Sequence, residues 1–118
     1  MRNIVFLLLV LSININAGIV DFQPDLFQSR YLKAKELYEK ERFGPSKKLF
    51  EKLANQNNSY EIEVLCQYYI ALCSYQLRDK NTEYNIDHFL LTHSDHKLSE
   101  KLRFVKGKYK FAANLVFH

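Results

Sequence analysis

The 118-residue sequence predicts an all-α fold, two antiparallel helical hairpins stacked as a solenoid and followed by one further helix. The first observation behind this is a pattern used three times: aromatic, two residues, small residue, three residues, aromatic. It reads Tyr31, Ala34, Tyr38, then Tyr68, Ala71, Tyr75, then Phe104, Gly107, Phe111, with steps of 37 and 36 residues. Periods of that size belong to chains that stack helical units. The second is composition: 9 Phe and 8 Tyr but no Trp and only 3 Gly, too few turn formers for a strand-rich chain. The third is the recurrence of apolar residues at helical spacing between short polar breaks.

The first segment is set apart from the repeats. Arg2 precedes an apolar run from Ile4 to Ile13, and Asn14-Ile15-Asn16-Ala17 follows. A charged start, a short apolar core and a small residue are the layout of a secretory signal peptide, with cleavage expected after Ala17 or Gly18. A membrane anchor is the competing reading, but a span needs about twenty apolar residues and this run is half as long. Residues 1–17 are therefore assigned to a signal peptide and 18–24 to a linker. Residues 25–58 form the first hairpin, 59–94 the second, and 95–118 the first helix of an incomplete third unit.

Pro24-Asp25 suits the start of a first helix to about Arg42, with Phe27, Tyr31, Ala34 and Tyr38 on one face. Gly44-Pro45 is the expected break, with Pro45 in the first turn of the next helix. That helix carries Leu49, Phe50 and Leu53 and ends in Asn55-Gln56-Asn57-Asn58. Asn58 and Glu61 have capping-box spacing and open a third helix to about Leu77. Its residues from Val64 to Tyr75 leave little polar face, so it must be covered on several sides. Arg78-Asp79-Lys80-Asn81 makes the next turn, and Ile86, Phe89 and Leu90 stripe a fourth helix. Leu49 and Ile86 are 37 residues apart, as are Leu53 and Leu90, which extends the duplication to the second helices. A fifth helix starts near Ser94-Asp95 with Leu98, Leu102, Val105, Tyr109 and Ala112 in one stripe. An apolar ending without a partner helix is expected of a piece of a longer array, or of an end that docks on something.

Cys66 and Cys73 are the only cysteines. Seven residues apart in one helix, they lie about 10 Å apart along its axis, too far for an internal disulfide. Both read as small core residues.

Hairpins of this length, with a small residue near the middle of the first helix and an aromatic four residues later, resemble the tetratricopeptide repeat. Leu37-Tyr38-Glu39-Lys40-Glu41-Arg42-Phe43-Gly44 with Lys48-Leu49-Phe50-Glu51-Lys52-Leu53 resembles the first repeat of large exported tetratricopeptide proteins of Bacteroidetes-type bacteria. Tyr68-Tyr69-Ile70-Ala71-Leu72-Cys73 is similar to the start of their second repeat. The likeness spans roughly residues 19 to 111, and departs from the general pattern at Ser46 and Glu83, where a small Ala is usual. It implies a protein-binding scaffold with a protein or peptide partner, in the periplasm or cell envelope of a Gram-negative bacterium. No cofactor and no nucleic-acid partner are implied. Outward positions on the first helices, namely Arg30, Lys33, Gln67 and Ser74, are the expected binders.

Other chemistries find less in the residues. His88, His93 and His96 with Asp87 and Asp95 straddle a helix break, so a solvated loop is expected rather than a metal site. No nucleophile elbow or Gly-rich phosphate loop occurs, and no enzymatic activity is expected. Lys97, Lys101, Arg103, Lys106, Lys108 and Lys110 alternate with aromatic residues on the last helix. That arrangement keeps open a peripheral membrane role, alongside a remnant without independent function.

Overall fold

The computed structural model describes residues 26–56 and 59–117. Five α-helices account for most of them: α1 (Leu26–Glu39), α2 (Phe43–Ala54), α3 (Tyr60–Leu77), α4 (Thr82–Thr92) and α5 (Lys97–Phe117). There is no strand among the described residues. The expected signal peptide and linker, Asn58 of the expected capping box, and His118 lie outside them. Each helix packs against the next, and α3 also packs against α5.

The first hairpin turns earlier than expected. Helix α1 stops at Glu39 rather than near Arg42, and Gly44 and Pro45 lie inside the first turn of α2. The break is made by Glu41, whose φ of 61° is left-handed. The amide of Arg42 donates to the carbonyl of Leu37 and that of Glu41 to Tyr38, the two bonds of a Schellman ending. The same ending recurs 37 residues on. Arg78 has φ 54°, the amide of Asp79 donates to Ser74 and that of Arg78 to Tyr75. Neither position is glycine, so the chain accepts backbone strain at both turns.

Helix α3 is capped by Ser59, whose hydroxyl accepts from the Ile62 amide at 3.4 Å. Helix α5 begins at Lys97, three residues later than Ser94, where the ring of His96 accepts the Leu98 amide through Nδ1 at 3.1 Å.

Two apolar clusters share α3. One joins Ala34 of α1, Phe50 and Leu53 of α2, and Cys66. The other joins Val64, Tyr68, Ala71 and Leu72 to Ile86 and Phe89 of α4 and Leu102 and Val105 of α5. Tyr69 belongs to the margin of both: it stacks on Phe50 at 4.8 Å and meets Tyr38 and Tyr68 edge-on. The near-continuous apolar run of α3 is thus explained by helices on two sides of it. Cys66 and Cys73 are free and buried within it, and burial pushes the Cys66 thiol up to about 11.

Burial re-registers the second helices. The buried residues of α2 are Ser46, Phe50 and Leu53, and those of α4 are Thr82, Ile86 and Phe89, matching at 36 residues rather than 37. Leu49 and Leu90 are only half-buried. In this register Thr82 takes the small interior position of Ser46, and Glu83 is exposed. Ser46 donates to the Ala34 carbonyl at 2.8 Å, and Thr82 to the Ser74 carbonyl at 2.9 Å, so each hydroxyl fastens its helix to the preceding one.

Candidate functional site

Two places stand out once the helices are packed: a polar cleft where α4 turns into α5, and the outer face of α5. The cleft holds about 280 Å³ and is lined by Tyr60, Thr92, His93, Ser94, Asp95 and His96. His93 ends α4, is only 6% exposed, and is not in a solvated loop as expected. Gln67 donates from Nε2 to Glu63, which turns its amide oxygen toward His93 at 2.9 Å. His93 Nε2 therefore carries the proton, and Nδ1 accepts from the Tyr60 hydroxyl at 3.1 Å. Burial, seconded by the neighbouring charge of His96, pulls its pKa below the usual imidazole value. With both nitrogens engaged, His93 acts as a buried clasp between α3 and α4 rather than as a free base or metal ligand. His88 is exposed, and Asp87 pairs with Lys106 at 2.5 Å.

The four expected binders divide. Arg30 and Lys33 are exposed on α1, where Lys33 lies 3.6 Å from Glu36. Gln67 is half-buried and committed to His93. Ser74 is fully buried, its hydroxyl accepting from Asn85 Nδ2 at 2.8 Å, and so cannot face outward. A serine in a helix this apolar is an interior joint, and the polar partners it needs come from the next helix.

The packing ladder divides too. Ala34 and Ala71 are wholly buried, Tyr68 is buried, and Tyr31, Tyr38 and Tyr75 are half-buried against neighbouring helices. The third rung is not a packing element in this structure: Phe104 and Phe111 are each 67% exposed and Gly107 is exposed. A Cβ at Gly107 would meet no atom of the described residues within 4 Å. Leu115 continues the stripe, and Lys108 Nζ lies 5.1 Å from the centre of the Phe104 ring. No protein-family model matches the chain, and comparison with curated proteins and with solved structures finds no match to either.

Proposed function

We propose that this all-α chain is an exported scaffold of tetratricopeptide-like hairpins, binding a protein or peptide partner in the cell envelope rather than carrying out catalysis. The observation that carries the reading is the repeated register of α3 and α5. Ile62, Cys66, Tyr69 and Cys73 face the preceding hairpin, and 36 residues after the first three Leu98, Leu102 and Val105 do the same. One rule for stacking a helix on a preceding hairpin, used twice, is how solenoids build extended binding surfaces. The 37-residue recurrence of the Schellman endings adds a second support. Of the four expected binders, Arg30 and Lys33 are the exposed ones that a partner can reach.

A photo-crosslinking residue at Arg30 or Lys33, in a tagged full chain produced in its own cells, tests this. A discrete adduct in the envelope fraction supports the scaffold. A chain retained in the cytoplasm, or one without cooperative helical melting, counts against it. A peripheral membrane role is the second reading, favoured by Phe104, Phe111 and Leu115 exposed beside lysines on α5. No helix among the described residues is long and apolar enough to cross a membrane. Flotation with anionic vesicles separates the two readings.

A further inference from the structure

We infer that the outer face of α5 is a seat for an amphipathic helix of a partner protein, acidic along one edge and lying as α4 lies on α3. This rests on the scaffold reading above and names one of its binding surfaces. The occupant follows from what covers the equivalent face one unit earlier. Tyr68, Ala71 and Tyr75 lie on the face of α3 that α4 covers: Tyr68 meets Phe89 at 6.2 Å, and Ala71 and Tyr75 join the cluster around Ile86 and Phe89. Their counterparts 36 residues on are Phe104, Gly107 and Phe111, all exposed, while the opposite side of α5 is already packed through Leu102 and Val105.

Gly107 distinguishes a helix from a lipid surface as the occupant. A mid-helix glycine weakens α5, and no described residue approaches it closely enough to need one. A second helix crossing there, as at Ala34 and Ala71, gains from the missing side chain. Charge gives the edge. By rotation of 100° per residue, Lys97, Lys108 and Lys101 lie along one edge of the aromatic stripe, with Glu100 inside the stripe, whereas Lys106 and Lys110 are turned to Asp87 and Glu83 of α4. Leu72, one unit earlier, is replaced here by Lys108, so the new occupant needs acidic side chains where α4 needs none. A second copy pairing α5 with α5 would bring like charges together.

The chain supplies its own probe. A capped, labelled peptide of residues 79–95 carries α4 with Glu83 and Asp87, and one of residues 42–56 carries α2 with Lys47, Lys48 and Lys52. Fluorescence anisotropy against the full chain should show saturable binding of the first, weakened by salt, and at least about tenfold weaker binding of the second. Phe111→Glu should weaken binding at least about tenfold with unchanged helicity, because Phe111 is exposed in the free chain. Gly107→Leu should weaken binding while raising the melting temperature, a pair of opposite signs that a purely structural glycine does not produce. A flat titration with a cooperatively melting chain overturns this inference and leaves the scaffold reading standing; an aggregated chain overturns both. Binding indifferent to Phe111→Glu, or Phe111-dependent binding seen only with phosphatidylglycerol vesicles, also overturns the helix seat.

Discussion

Helices α3 and α5 obey one plan and end in different states. Both present a small residue between two aromatics, and both pack one side on the hairpin before them. Yet Ala71 is sealed under α4, whereas Gly107 lies open. The same residue pattern is therefore core in one copy and surface in the other. A ladder of aromatics specifies where a helix can be received, and does not by itself supply one.

Substitutions can break this comparison, beginning with the largest effect. Phe50→Ala removes a fully buried ring stacked on Tyr69 and is expected to cost about 3–5 kcal/mol in chemical denaturation. Phe104→Ala, an aromatic of the open copy, should stay within about 0.5 kcal/mol. A similar cost for both would mean that α5 is covered in solution.

Ala71→Leu overpacks the sealed position and should destabilise by about 1–3 kcal/mol. Gly107→Ala, at the matching open position, should instead stabilise by about 0.8–1 kcal/mol in thermal melts. The opposite signs are the sharpest form of the contrast, and a loss at both positions would erase it.

Relief of left-handed strain at the turns is smaller. Arg78→Gly should raise stability by up to about 1 kcal/mol, the steric gain being offset in part by the freer unfolded chain. Glu41→Gly should behave alike if the two hairpins are as equivalent as their bonding indicates.

The smallest effect is a pH dependence confined to the α3–α4 clasp. Burial and the charges of His96 and His88 depress the His93 pKa below its ordinary 6.5, against an opposing pull from Glu63. Below pH 6.5 the unfolded chain binds a proton that the folded chain resists. Stability should therefore fall as pH drops through the window between 6.5 and the folded value, and flatten beneath it. Melting temperatures between pH 7.5 and 5 would show this, and His93→Gln should reduce the slope.

The helices were legible where one side chain size did one job. Of the expected stripe of α5, Leu102 and Val105 are buried and Leu98 and Tyr109 half-buried where helical spacing indicates, while Ala112 at its far end is exposed. Ala34 and Ala71 are also buried where expected. The first turn was missed because Glu41 adopts a conformation that a sequence announces only through Gly or Asn. Thr82 was passed over for Glu83 because a turn one residue longer or shorter is silent in composition. His93 reads as solvent-facing among Thr92, Ser94 and Asp95, since its partners Tyr60 and Gln67 come from a helix more than twenty residues earlier. Ser74 erred the other way: its polarity suggested surface, but it answers Asn85 and Thr82 across an interior joint.

The order of contacts has a kinetic consequence. Apart from the α3–α5 contact, each main packing partner is the next helix along the chain. Loops closed on folding are then short and contact order is low, the condition for fast assembly. Structure can spread outward from α3, the helix with neighbours on both sides, and fraying should begin at the far end of α5. Amide exchange ought to be slowest around Ala71 and fastest beyond Phe111, a gradient of lifetimes laid along a single helical stack.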